Sequence, residues 1–256
     1  EKRLVLGGHK HDGVGKIAIS PDSRWLVTVS QNSVRQPKDR IRVQIRVWDL
    51  QADDIPQSEQ TLDGKNEYVG DLKFDASSGW LAVAGGATVR LWKLDGAKFS
   101  HQRVILGEGS IFRIALSRDA KWLLIARYSD ISNAQLVDLR DPKEIAHPIF
   151  ECDGNAVAAS PDGRWLAAGN RYKHYATLFD LESEDPVQSA RMLRGHVGPI
   201  WNIAFTGDSR WLVTAGSDGT LRRWNLDINW LMNYANRMVG REFAAAELEM
   251  YDLPRN

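Results

Sequence analysis

The sequence predicts an all-β fold in which four-stranded sheets repeat radially, the arrangement called a β-propeller. The main observation is a Trp-Leu pair that closes a turn and opens an apolar run five times along the 256 residues, at Trp25, Trp80, Trp122, Trp165 and Trp211. The spacing between consecutive tryptophans is 42 to 55 residues. Self-similarity at such a period is typical of repeat proteins, whose units bury their apolar faces only against each other.

The last repeat shows how one unit divides into strands. Residues 200–205, 211–216 and 220–226 are short runs separated by turn residues, and Asp218-Gly219 is a tight-turn signal before the third run. An outer strand precedes each such trio, near residues 2–6, 58–62, 101–106, 147–151 and 189–194. Four antiparallel strands per unit make the blade of a propeller.

The sequence leaves the number of blades open. No outer strand follows residue 226, so residues 2–6 could pair with residues 220–226 and close a ring of five blades. Part of a seven-bladed ring that is cut at a repeat boundary also contains equal numbers of inner trios and outer strands. The chain also begins without Met, and we expect further sequence upstream.

Short motifs within the repeats resemble those of the WD-repeat family. The fifth unit carries Gly195-His196, Asp218-Gly219-Thr220 and Trp224-Asn225, and the first carries Gly8-His9 and Trp48-Asp49. The middle units depart from the pattern, since the second has Lys93 after its tryptophan and the third and fourth have Val137-Asp138 and Phe179-Asp180. The resemblance covers residues 1–227 and implies a propeller, usually of seven blades, that binds proteins and is not an enzyme.

One polar set has the composition of a catalytic site. His196, Thr214 and Asp218 supply the residue types of a hydrolase triad. With Trp224 they also have the spacing of the buried hydrogen-bonded set that, by the resemblance, ties a WD-repeat blade together. We favour the structural interpretation, because no Gly-x-Ser-x-Gly turn occurs. The first unit holds a partial copy of the set in His9, Thr28 and Trp48.

Composition excludes several other classes of function. The 33 basic and 33 acidic side chains give a net charge of zero, which argues against general attraction to nucleic acid or membranes. The six histidines lack zinc-ligand spacing, and the glycines of residues 7–15 lack the Lys of a phosphate-binding loop. We therefore predict no catalytic residue, metal or cofactor. The single Cys152 favours a reducing compartment, and we expect the cytoplasm.

The loops at one rim of the propeller are the predicted binding surface, because loops carry function on a rigid scaffold. Aligning the repeats places Phe112 and Trp201 at equivalent positions near the channel. The loops between second and third strands add a basic and aromatic set, namely Arg35, Arg127, Tyr128, Arg171, Tyr172 and Tyr175. A simpler explanation for Phe112 and Trp201 is that they pack at the channel, and a simpler explanation for the loop residues is that they are solvated and bind no partner. The sharper hypothesis is a surface for an anionic partner, with a protein considered before nucleic acid.

The tail changes character after residue 227. Residues 228–256 show helical spacing in two short segments, and we predict a helical extension packed on the propeller of residues 1–227. Gly240-Arg241, Glu247 and Tyr251 resemble the C-terminal signature of bacterial multidomain WD-repeat proteins. In these proteins the propeller follows an effector such as a STAND-type NTPase or a caspase-like peptidase. That resemblance implies a sensor or regulatory module that binds a protein or its own upstream domains.

Two other functions remain as alternatives. One is a scaffold for constitutive assembly, with no switching between states. The other is a propeller hydrolase or lectin, which clustered carboxylates in the channel or a bound calcium ion would favour. The sequence contains no such cluster of carboxylates.

Overall fold

The protein is described by a computed structural model. The described residues are 4–9, 13–31, 43–63, 68–106, 109–128, 134–140, 146–149, 156–170 and 172–227. Their nineteen strands form five antiparallel sheets, one for each Trp-Leu pair. The helical extension predicted for residues 228–256 lies outside this part of the chain. Within it, no helix is long and apolar enough to cross a membrane.

Each sheet is one blade, and the strands of a blade follow one another in sequence from the inner strand outwards. Blade 1 contains β1 (Val14–Ile19), β2 (Trp25–Gln31), β3 (Val43–Asp49) and β4 (Gln60–Leu62), and blade 2 contains β5 (Asp71–Phe74), β6 (Trp80–Gly85), β7 (Thr88–Asp95) and β8 (Lys98–Leu106). Blade 3 contains β9 (Ser110–Leu116), β10 (Trp122–Tyr128), β11 (Ala134–Asp138) and β12 (Ala146–Ile149). Blade 4 contains β13 (Ala156–Ala159), β14 (Trp165–Gly169), β15 (Tyr175–Asp180) and β16 (Arg191–Arg194), and blade 5 contains β17 (Ile200–Phe205), β18 (Trp211–Gly216) and β19 (Leu221–Asn225).

The predicted propeller of four-stranded blades is confirmed, with one correction. Four outer strands lie where the sequence places them, as β4, β8, β12 and β16. The pairing of residues 2–6 with residues 220–226, which the sequence left open, is not seen in the described part of the chain, where Leu4, Val5 and Leu6 are not in a strand. The described sheet of blade 5 therefore has three strands.

The same turn geometry precedes all five Trp-Leu pairs of this chain. A side-chain oxygen at the start of each turn accepts the backbone N–H of the tryptophan, and these oxygens belong to Ser20, Asp75, Ser117, Ser160 and Thr206. The third residue after it has a positive φ, from 52° at Ala120 to 87° at Gly163. Short polar side chains that bond the local backbone favour such turns. The repeated turn aims each Trp-Leu pair in the same direction.

The Trp-Leu pair joins neighbouring blades in both directions. Trp25 packs in the apolar cluster between blades 1 and 2, and Leu81 reaches the same cluster from blade 2. Trp165 and Leu212 repeat this arrangement between blades 4 and 5. Four such clusters occupy the four junctions between consecutive blades. The tryptophan therefore packs towards the following blade and the leucine towards the preceding one.

The described blades form an open arc. Consecutive inner strands pack together from β1 through β5, β9 and β13 to β17, but no comparable interface joins β17 to β1. At two positions of the inner strand, Ile200 and Ile203 of blade 5 are 0% and 5% exposed, whereas Val14 and Ile17 of blade 1 are 52% and 64% exposed. The open arc explains why residues 4–6 find no partner in blade 5.

Candidate functional site

The hydrogen-bonded set of blade 5 lies between the rim and the blade interior. Nδ1 of His196 lies 2.9 Å from Oδ2 of Asp218, and its Nε2 lies 2.8 Å from the Thr214 hydroxyl. Trp224 donates its indole N–H to the same hydroxyl at 3.0 Å. A carboxylate only accepts hydrogen bonds, so Nδ1 of His196 donates to Asp218 and Nε2 accepts from Thr214. The chain of bonds ties together the strands β18 and β19, the turn between them and the loop before β17.

This arrangement does not offer a nucleophile to a substrate. Thr214 is fully buried, and its hydroxyl oxygen already accepts the indole N–H of Trp224 while its proton points to His196. A nucleophile must reach a reacting atom within the site. Among the described residues, no three His, Cys, Asp or Glu side chains are grouped to hold a metal ion. We therefore treat the set as a structural network.

Blade 1 contains a reduced version of the same network. Nε2 of His9 lies 2.6 Å from the Thr28 hydroxyl, and its Nδ1 lies 2.8 Å from the Ser30 hydroxyl. The ring meets Trp48 edge-on, with centroids 5.9 Å apart. Ser30 thus takes the role that Asp218 has in blade 5 as the partner of the histidine Nδ1, and a neutral hydroxyl replaces a carboxylate.

The rim that carries the predicted binding residues is built by contacts between successive blades. The backbone N–H of Ile111 at the start of β9 donates to the carbonyl oxygen of Gly86, in the turn between β6 and β7, at 2.7 Å. The N–H of Ile200 makes the equivalent bond to Asn170 of blade 4 at 3.4 Å. The starts of β9 and β17 are therefore held beside a turn of the preceding blade.

Aromatic side chains from four consecutive blades are exposed on this rim. Tyr68, Phe112, Tyr172 and Trp201 are 46%, 41%, 69% and 46% exposed, and we call them the aromatic rim. Exposed aromatic residues are enriched among the residues that dominate protein interfaces. Sequence reasoning found three of them and missed Tyr68.

The position of Tyr68 follows from a close approach between blades. Gly70 occupies the position of Phe112 and Trp201, but a Cβ atom there would lie 2.4 Å from the carbonyl oxygen of Ile111. Blade 2 therefore has no side chain at this position, and Tyr68 lies two residues earlier. Only the packing of blade 3 against blade 2 shows this shift.

A local turn places Tyr172 on the rim. The buried Asn170 accepts the backbone N–H groups of Tyr172 and Lys173 through its side-chain oxygen, at 2.8 and 2.7 Å. His174 closes the turn with a φ of 57°. The Asn170 side chain therefore holds the backbone of the turn that exposes Tyr172.

Two predicted rim residues are buried, so they do not present side chains to a partner. Arg127 is 4% exposed and donates its Nε–H to Oε1 of Gln135 at 3.0 Å. Tyr175 is 5% exposed, and the guanidinium of Arg194 lies 5.2 Å from its ring centre. Both lie on strands inside the blade, where neighbouring strands cover them. Tyr128 ends β10, and Arg35 and Arg171 lie outside the described residues.

The inner strands enclose a cavity of about 500 Å³ that opens on the side of the Trp-Leu turns. Its wall is mainly apolar, and Lys73 is its one charged residue. Equivalent positions of the neighbouring strands carry Ala115, Ala158 and Ala204. The cavity therefore follows the axis of the propeller from the turn side towards the aromatic rim.

Comparison with known proteins supports the repeat assignment. The family model described as WD domain, G-beta repeat matches residues 1–36, 56–93 and 187–225. These segments belong mainly to blades 1, 2 and 5. Blade 3 and the three inner strands of blade 4 are outside the match, and these two blades have neither the Gly-His dipeptide nor the tryptophan of the third strand.

Relatives and solved structures agree with this assignment. The Protein LST8 homolog of Drosophila melanogaster is 28% identical over an alignment of 216 residues, and the match covers 80% of this chain and 68% of that protein. The Serine-threonine kinase receptor-associated protein of Rattus norvegicus is 24% identical over 86% of this chain and 57% of its own length. The beta-propeller domain of Myceliophteria thermophila Cps50 (Swd1) superposes with a TM-score of 0.63 at 16% identity, over 85% of this chain and 66% of that domain. The chain thus folds as a β-propeller, and segments of it match the WD-repeat model.

Proposed function

We propose that this chain is the regulatory part of a larger protein and binds a protein partner, or upstream domains of its own polypeptide, through the aromatic rim. The observation that carries the proposal is the exposure of aromatic side chains from four consecutive blades on one rim. Burying such side chains against a partner removes a large apolar area from water. A repeat of rigid blades holds them in fixed positions, so little conformational entropy is lost on binding.

The regulatory role rests on differential binding. A rim that binds one conformation of an effector better than another shifts the effector towards that conformation. The resemblance of the tail to bacterial multidomain WD-repeat proteins supports an effector on the same polypeptide, and the single Cys152 supports the cytoplasm as its location. A scaffold that assembles constitutively binds both conformations equally.

The interaction is tested by capture with matched variants. We expect proteins that co-purify with the wild-type chain to be lost with Phe112→Ala/Trp201→Ala, because both exposed rings lie on the rim. The control is Met192→Ala, which removes an exposed apolar side chain from the outer strand β16. Equal capture by the wild-type chain and both variants, at unchanged melting temperature, contradicts the proposal.

The regulatory step is tested on the full-length protein. Removing residues 1–256 is expected to change the activity of the effector or its response to ligand. Unchanged activity and unchanged response contradict regulation. Binding that persists equally in the active and inactive states of the effector identifies a constitutive scaffold.

A further inference from the structure

The mouth of the channel below the aromatic rim contains a ring of equivalent positions with an excess of positive charge. Lys16, Asp71 and Arg113 occupy the same position of the inner strands β1, β5 and β9, which pack side by side. Ala156 and Asn202 occupy the same position in blades 4 and 5. Lys73 follows two residues after Asp71.

These side chains face the axis of the propeller. Lys73, Ala115, Ala158 and Ala204 line the axial cavity. Side chains alternate between the two faces of a strand, so residues two positions earlier lie on the same face. The ring that contains Lys16, Asp71 and Arg113 therefore lies on the axial side, one step nearer the rim.

The single carboxylate of this ring is already engaged by the protein. Asp71 accepts the backbone N–H of Leu72 through Oδ1 at 3.0 Å and that of Ile114 through Oδ2 at 3.1 Å. Lys73 lies at the outer limit of an ion pair, with Nζ 3.9 Å from Oδ1 of Asp71. Bonds that fix the carboxylate against blade 3 leave it poorly placed to neutralise three cations.

The cations also act on one another. Burial lowers the pKa of Lys16 and the Asp71 carboxylate raises it, while the positive charges of Arg113 and Lys73 lower it further. Arg113 is held at the rim, because its Nη1 donates to the carbonyl oxygen of Phe112 at 3.0 Å. Cations that repel each other in a half-buried site favour an anion between them.

We infer that the channel mouth receives an acidic segment of the protein partner, held by Lys16, Lys73 and Arg113 below the aromatic rim. This inference rests on the proposed function and adds the chemistry of the partner. The whole chain has no net charge, so the positive charge is local to the mouth. A nucleic acid needs a longer basic track to neutralise several phosphates, and the concave mouth with its three cations fits a short acidic peptide better.

This basic surface differs from the one that the loop residues predicted. Arg127 is buried, and the loop arginines Arg35 and Arg171 are not among the described residues. The described cations that gather near the rim come instead from inner strands. Sequence reasoning missed them because Lys16, Lys73 and Arg113 are far apart in the chain and carry no motif.

The experiment measures fluorescence anisotropy of three labelled probes with the purified chain. The probes are a ten-residue glutamate-rich peptide, its lysine-rich counterpart and a twelve-nucleotide single-stranded DNA. We expect the acidic peptide to bind, and Lys16→Glu/Arg113→Glu to weaken binding at least tenfold. Raising the salt from 0.05 to 0.5 M is expected to weaken it by a similar factor.

Two further variants keep the result interpretable. Arg191→Glu reverses an exposed charge on the outer strand β16 and is expected to leave binding unchanged. Lys16→Gln/Arg113→Gln tests the same site if the reversed charges lower the melting temperature. No binding of the acidic peptide, equal binding by the site variants, or binding of DNA alone overturns the inference. The capture experiment with Phe112→Ala/Trp201→Ala, by contrast, tests the proposed function and not the acidic chemistry of the partner.

Discussion

Blades 1 and 5 begin with the same Gly-His dipeptide and share the same Trp-Leu turn, yet their surroundings differ. The inner strand of blade 5 packs on blade 4, while that of blade 1 has no described blade before it. The histidine of blade 5 bonds a carboxylate, and that of blade 1 bonds two hydroxyls. The difference shows that the repeat motif fixes the blade, while neighbouring elements decide how strongly it is held.

The largest expected difference lies in the inner strands. Ile203→Ala removes a buried side chain from the junction with blade 4 and is expected to lower the free energy of unfolding by about 3 kcal/mol. Ile17→Ala changes the equivalent, mostly exposed residue of blade 1 and is expected to cost less than about 1 kcal/mol. Urea denaturation measures both. Equal losses contradict the open arc.

The histidine networks give the next largest difference. His196→Ala removes the hydrogen bonds from the imidazole ring to the buried Thr214 hydroxyl and to the Asp218 carboxylate, and we expect a loss of about 2–3 kcal/mol. His9→Ala breaks bonds to two hydroxyls, of Thr28 and Ser30, and is expected to cost about 1 kcal/mol. The same denaturation measurement compares them. A greater loss in blade 1 means that the carboxylate adds nothing to the network.

The Asp218 carboxylate is also expected to make the stability of the blade 5 network depend on pH. Burial acts to raise the pKa of Asp218, but hydrogen bonds from the Thr220 hydroxyl, the N–H groups of Val197 and Thr220, and His196 outweigh it, so the pKa lies well below its usual value. A carboxyl group whose pKa is lower in the folded state adds to the free energy of unfolding. Its contribution is complete when the pH is above the unfolded pKa of about 3.9, and it is lost as the pH falls further. Melting temperatures between pH 6 and pH 3 are therefore expected to fall more for the wild-type chain than for Asp218→Asn.

Blade 1 provides the control for this measurement. Ser30→Ala changes the equivalent partner of His9, and a serine does not titrate in this range. Its melting temperature is expected to differ from that of the wild-type chain by the same amount at pH 6 and pH 3. A pH-independent effect of Asp218→Asn contradicts the role of the carboxylate.

The smallest expected difference is the stabilisation by an arginine before the Trp-Leu pair, which is greater in blade 1 than in blade 5. Arg24 donates from Nε and Nη2 to Asp49 and lies over the ring of Trp25, with its guanidinium carbon 4.9 Å from the ring centre. Asn225 takes the position of Asp49 in blade 5, so Arg210 has no carboxylate there. Because the Arg24 pair is partly exposed, Arg24→Ala is expected to cost at most about 1 kcal/mol, and Arg210→Ala close to nothing. Equal melting temperatures for the two variants contradict this expectation.

The repeat pattern predicted the blades because each strand and turn is encoded locally. Five Trp-Leu pairs gave the five sheets, and four of the five outer strands lie where expected. The spacing of His196, Thr214 and Asp218 likewise predicted residues that the fold brings into hydrogen-bond contact. Alternation along strands and short polar turn residues act within a few positions of the chain, so the sequence carries them directly.

The rim could be predicted only in part. The alignment of repeats found Phe112 and Trp201, which are exposed, but it also placed Arg127 and Tyr175 on the surface. Burial of those two depends on Gln135 and Arg194, which lie on neighbouring strands. Tyr68 was missed because the close approach of Ile111 to Gly70 involves two blades.

The sequence by itself determined the repeating blade, its turn and its internal hydrogen bonds, since these depend on residue types at fixed spacing. The tertiary structure alone decided that the described blades form an open arc, which aromatic rings reach the rim and where the cations gather. These features depend on contacts between residues that are distant in the chain. Packing one blade against the next brings Lys16, Lys73 and Arg113 close together, and no local sequence motif predicts that they are neighbours.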